Sequence, residues 1–95
     1  MTTQLTGQAA EAATIINKTI GKEAWSAYRT PEEWDGDYGR GSILIIIHEE
    51  DDTLARHCSY DRYDYLAIEK LSKALNHEGY WVEQCTTWYS AVYKG

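Results

Sequence analysis

The sequence predicts an α+β domain in which two helices pack on a mainly antiparallel β-sheet, in the order α-β-β-β-α-β-β. Three observations carry that expectation. Two stretches, one near each end of the first three-quarters of the chain, repeat apolar residues every three or four positions, as an amphipathic helix does. Between them, residues 42–48 hold five consecutive β-branched or Leu residues, the pattern of a strand covered on both faces. Two further β-rich runs close the sequence, and no internal repeat interrupts it. At 95 residues the chain has material for one core, so a single domain over residues 1–95 is expected.

Taken in order, Leu5, Ala9, Ala12, Ala13, Ile16 and Ile20 share one narrow face of the first helix. Gly21 can end it in the left-handed conformation, and Lys18 and Lys22 suit the negative end of its dipole. Residues 23–29 alternate loosely enough for an edge strand. Residues 30–41 contain the chain's single Pro and three of its glycines, which predicts a long loop with a helical turn at 31–34. The central strand at 42–48 follows. Residues 49–52 are an acidic turn, and 53–59 are expected to return as the hairpin partner. In the second helix Asp61 is the expected N-cap, and Ala67, Ile68, Leu71, Ala74 and Leu75 form the buried stripe. Gly79 stops that helix, so that Tyr80 folds back towards Leu75. Residues 80–85 and 88–93 then form a terminal hairpin through Thr86 and Thr87.

Charge bounds the function. Fifteen acids against nine bases give a net charge of −6, which disfavours nucleic acid phosphate or an anionic membrane as partner. The N-terminus has neither a basic nor an apolar signal region, and the longest apolar run is residues 43–47, so a cytosolic protein with reduced Cys58 and Cys85 is expected. The charge is also unevenly placed. Residues 30–52 carry Glu32, Glu33, Asp35, Asp37, Glu49, Glu50, Asp51 and Asp52 against Arg40 alone, a net −7 in 23 residues, while the flanking segments are nearly neutral. Trp34 and Tyr38 are interleaved with the first of these acids, and large exposed aromatics call for a covering partner. In extended backbone Glu33, Asp35 and Asp37 would point one way at roughly 6.6 Å intervals, about two base-pair rises, so they could stand in for phosphates. The ten residues Glu32, Glu33, Trp34, Asp35, Asp37, Tyr38, Glu49, Glu50, Asp51 and Asp52 are therefore the candidate partner-binding set.

Catalytic alternatives are weaker. His48, Glu49, Asp51, Asp52, His57 and Cys58 include metal-ligating types, but none of the spacings matches a known site, so no metal and no cofactor are expected. If 53–59 is a strand, His57 and Cys58 point to opposite faces and cannot form a nucleophile–base pair. The glycine-rich residues 36–41 precede a strand instead of opening a helix, and their flanking carboxylates would repel phosphate. The expectation is a non-catalytic protein.

A short acidic chain, with eight Tyr and four Trp but no Phe and with no catalytic motif, resembles in overall character the small anti-CRISPR inhibitors of phages. The likeness is strongest to those that mimic double-stranded DNA against type I-F surveillance complexes. No diagnostic motif carries it, so no family residue is transferred. The resemblance implies a stoichiometric inhibitor, acting in the host cytoplasm, that occupies the basic DNA-entry surface of a CRISPR-Cas effector, where duplex would be held and its PAM read; a monomer is expected. The competing expectation is a phage structural, assembly or host-takeover adaptor protein working through protein–protein contacts.

Overall fold

The computed structural model describes residues 5–34 and 39–95. Helix α1 (Gly7–Ile20) ends as expected: Gly21 has φ 77°, and its N–H, with that of Lys22, donates to the Asn17 carbonyl. Ala12, Ala13 and Ile16 are its buried face, small enough to let the helix lie close to its neighbours. Residues 23–29 form only a two-residue strand, β1 (Tyr28–Arg29), preceded by a 3₁₀ turn at Trp25–Ala27. The turn forms because Ala27 N–H closes onto the Ala24 carbonyl, leaving only Tyr28 and Arg29 extended.

Strand β2 (Leu44–Ile47) is central as expected, with Leu44, Ile45 and Ile46 fully buried. The next segment corrects the sequence reading. Residues 53–59 do not return as a strand but form helix α2 (Asp52–Cys58). Asp51 caps it by accepting the Leu54 N–H at 3.1 Å, Asp52 pairs with Arg56 one turn on, and Leu54, Ala55 and Cys58 share its buried face. The second predicted helix starts later than expected. Asp61 lies in a 3₁₀ turn at Tyr60–Arg62, and Asp64 is the N-cap of α3 (Tyr65–His77), accepting the Ala67 N–H at 3.2 Å. The two cannot merge into one helix because Tyr63 between them has φ 58°. Ile68, Leu71 and Leu75 are buried on α3, and Gly79 at φ 85° turns the chain so that Tyr80 joins Leu75 in the core. The terminal hairpin β3 (Tyr80–Gln84) and β4 (Tyr89–Lys94) stands as read.

The observed order among the described residues is thus α-β-β-α-α-β-β, with three helices and a four-stranded antiparallel sheet ordered β1-β2-β4-β3. Strand alternation sorts the sheet into two unlike faces. Leu44, Ile46, Tyr28, Tyr80 and Val92 meet Ala12, Ala13, Ile16, Leu54, Leu71 and Leu75 in the main core. Ile45, Tyr89 and Ala91 face the other way, against Trp34, Ile47, Cys85 and Tyr93, and no helix residue joins this second cluster. The loop covers part of that outer face at Gly39, where a Cβ would lie 2.7 Å from Ile45 Cδ1 and φ is +100°, so only glycine fits. No described helix is long and apolar enough to cross a membrane.

Candidate partner-binding surface

The acidic residues divide by what they do locally. After β1 the chain makes a turn in which Glu33 N–H donates to the Thr30 carbonyl and Trp34 N–H to that of Pro31. Glu33 Oε1 accepts both the Thr30 N–H, at 3.1 Å, and the Thr30 hydroxyl, at 3.0 Å. This is a Thr-Pro-Glu-Glu capping box, with Pro in the first position, where its missing N–H costs nothing. Glu33 is therefore bent back onto its own turn and does not begin an extended row of carboxylates, which corrects the spacing expectation at this residue. Asp35, Asp37 and Tyr38 lie outside the described residues. Glu32 is exposed and lines a recess with Thr6, Ala9, Thr30, Ser42 and Ile43. Trp34 is half-buried by the chain's own aromatics, edge-on to Tyr89 at 4.8 Å and Trp88 at 5.5 Å. It is a lid on the outer sheet face and not a free anchor.

The second acidic cluster follows β2. Asp51 and Asp52 serve the fold: Asp51 caps α2 and pairs with Lys22 at 3.1 Å, and Asp52 pairs with Arg56 and with Arg62. Partial burial alone would raise the Asp51 carboxyl, but the Leu54 N–H, Lys22 and the Thr53 N–H outweigh it and hold the group below its ordinary value. Glu49 and Glu50 are exposed, and no described Lys or Arg forms an ion pair with either. They stand at the rim of a recess of about 440 Å³ shared with Ser26, Ala27, Arg29, Ile47 and Asp51. The β1–β2 register, Tyr28 opposite Ile46 and Arg29 opposite Ile45, explains why Glu32 and Glu49 line different recesses. Residues after Arg29 run towards the start of β2, whereas Glu49 lies beyond its end.

Among the described residues, neither cysteine is held as a thiolate. Cys58 is buried and its thiol is pushed up to about 12, first by desolvation and then by Asp51; burial and Glu83 push Cys85 up to about 11. His57 Nδ1 is engaged with the Thr53 carbonyl at 2.7 Å. His48 is fully buried, with Nε2 at 3.0 Å from Ser90 Oγ. Among the described residues no three His, Cys, Asp or Glu side chains gather as a metal site.

Comparison with known protein families, with curated proteins and with solved structures found no match. The functional reading therefore rests on the chain's own surface. Sequence reasoning missed the tyrosine-bearing turn at residues 60–66, although the signal was present as YDRYDYL: three Tyr and three charged residues in seven positions, with one apolar residue among them.

Proposed function

We propose that this chain is a non-catalytic binding protein that presents carboxylates to a basic, DNA-binding protein surface, and that the surface is the DNA-entry region of a type I-F CRISPR-Cas surveillance complex. The observation that carries the reading is the state of Glu49 and Glu50. Their neighbours Asp51 and Asp52 are consumed by a helix cap and ion pairs, whereas these two stand exposed at the rim of a recess with no described cation paired to them. Carboxylates that the fold does not use are available to a cationic partner. Of the net −7 of residues 30–52, Asp51 and Asp52 are offset by Lys22, Arg56 and Arg62, which leaves Glu49 and Glu50 as the acids at this end of β2 with no ion pair among the described residues.

The test adds the purified protein to a type I-F surveillance complex and measures target-duplex binding. The wild type should compete with duplex. Glu49→Lys with Glu50→Lys should weaken competition at least tenfold, since close interfacial charge pairs couple by about 1.5–7 kcal/mol and lysines add repulsion. The same charge change at two acids outside the recess, Glu69→Lys with Glu78→Lys, should matter far less. Duplex binding left intact by the wild type would sink the reading. Equal losses from the two variants would leave only net charge.

A second reading, an adaptor working through apolar contacts, is favoured by a different observation. On the outer sheet face Trp81 stacks on Tyr93 at 4.4 Å, and both Trp81 and Trp88 remain exposed. An interface there would bind with little sensitivity to salt and would be lost in Trp81→Ala.

A further inference from the structure

Between α2 and α3 the chain spends structure on displaying side chains that its own core does not use. The turn at Tyr60–Arg62 is held from both sides. Gln84 Oε1 accepts the Tyr60 N–H at 2.9 Å, and Gln84 Nε2 donates to Asp61 Oδ2 at 3.0 Å and to Ser59 Oγ at 3.2 Å. Ser59 Oγ also accepts the Asp61 N–H. Arg62 is tied to Asp52 of α2, and Tyr63 N–H closes onto the Tyr60 carbonyl. The chain leaves the turn through Tyr63 at φ 58° and ψ 20°, a left-handed conformation that a bulky side chain adopts only at a cost. The result is a rigid surface on which Tyr60 and Tyr65 are more than half exposed, Tyr63 is 77% exposed and Leu66 82%. The rings of Tyr60 and Tyr65 lie 6.3 Å apart.

We propose that residues 60–66 are a preorganised docking surface for arginine side chains of a basic partner protein. Charge selects that occupant. Asp61 and Asp64 are interleaved with the rings; Gln84 holds Asp61 Oδ2 and the Ala67 N–H holds Asp64 Oδ1, but both keep their negative charge beside the rings, and the one cation of the segment, Arg62, is already taken by Asp52. The Asp52–Arg62 pair also joins this surface to the end of the acidic segment that carries Glu49 and Glu50. A planar guanidinium stacks on a phenol face while its edge N–H groups still reach a neighbouring carboxylate, which a compact lysine ammonium does not do. A turn locked before binding spares the partner the ordering cost, and tyrosine, with two side-chain torsions, loses little entropy when covered. The inference rests on the reading that the partner is basic.

The test titrates the full chain with oligo-arginine and, separately, with oligo-lysine of equal length, following tyrosine ring and backbone resonances. Oligo-arginine should bind several-fold more tightly and should shift Tyr60, Tyr63 and Tyr65. Replacing the three tyrosines by Ser should lower its affinity roughly fivefold or more and erase the preference over oligo-lysine, since a guanidinium plane stacks on an exposed ring and an ammonium does not. Tyr63→Asn suits the left-handed backbone, so it keeps the fold and should reproduce part of the loss if the triple variant unfolds. Equal affinity for the two peptides, or affinity indifferent to the tyrosines, would overturn the proposal. Shifts confined to residues 49–52 would overturn it and leave the acidic-recess reading standing. Tyrosine-dependent arginine binding together with undiminished duplex competition by Glu49→Lys with Glu50→Lys would do the reverse. A dimer abolished by the same tyrosine variants, without arginine preference, would make a second copy the occupant and also overturn it.

Discussion

His48 shows how one buried residue sets a property of the whole protein. Its ring is removed from water at the end of β2, with Ser90 as its hydrogen-bond partner, while Nδ1 has no partner among the described residues. Desolvation, with a smaller push from Arg62 and opposition from Asp61, lowers its pKa from 6.5 to about 4. The unfolded chain therefore binds a proton that the native state refuses between those two values, so stability falls as pH drops from about 6.5 to about 4. The loss is about 3 kcal/mol, to an order of magnitude. Urea unfolding at stepped pH should show that slope, and His48→Gln should flatten it. Asp51 acts in a lower window, because its depressed carboxyl contributes stability above its unfolded pKa near 3.8 and loses it as pH falls further. The two slopes are thus separable along one titration.

At the scale of elements, α2 is where sequence and structure diverge most. Residues 49–52 read as an acidic hairpin turn, yet Asp51 is a cap residue, Asp52 and Arg56 are one helical turn apart, and Leu54 and Cys58 share that spacing. Seven residues are too few for periodicity to outvote a hairpin pattern, and only the slot beside α3 decides the matter. Asp51→Ala should cost about 1–2 kcal/mol through the lost cap, with little added by the part-exposed Lys22 pair. The urea midpoint reads this, and adding Lys22→Ala should change it little further. Helix α3 was legible through its stripe, and Leu71 is fully buried in the main core. Leu71→Ala should therefore cost roughly 2–5 kcal/mol. A midpoint unchanged by the substitution would mean that the helix packs by another face. The shifted start of α3 was not legible, because Asp61 and Asp64 are equal caps by type and Tyr63 in a left-handed backbone announces itself in no residue pattern.

For the molecule as a whole, the decisive feature is that three helices gather on one face of the sheet, and none joins the apolar cluster on the other. That arrangement leaves two classes of surface, aromatic on the sheet and around residues 60–66, and acidic at the ends of β2. If the acidic surface drives binding, affinity for a basic partner should fall steeply between low and high salt, because screening at about 10 Å in 0.1 M salt weakens exposed charge pairs. Isothermal titration across a salt series checks this. Affinity constant over the series would assign recognition to the aromatic face instead.

Local residue patterns specify the elements that rest on strong, continuous signals: α1 with its glycine stop, β2 with its unbroken run of Leu and Ile, the stripe of α3 and the terminal hairpin. The sequence also determines where the charge lies along the chain. What each charged or aromatic residue is free to do depends on how the elements pack. Glu33 closes a capping box, Asp51 and Asp52 are used by α2, and Trp34 is covered by Tyr89 and Trp88, while Glu49, Glu50 and the tyrosines of residues 60–66 remain exposed. The reason is physical. Secondary structure follows from spacing within a few residues, but whether a carboxylate or a ring is satisfied depends on partners distant in sequence, such as Lys22 for Asp51 and Gln84 for the turn at Tyr60–Arg62, which packing alone brings together.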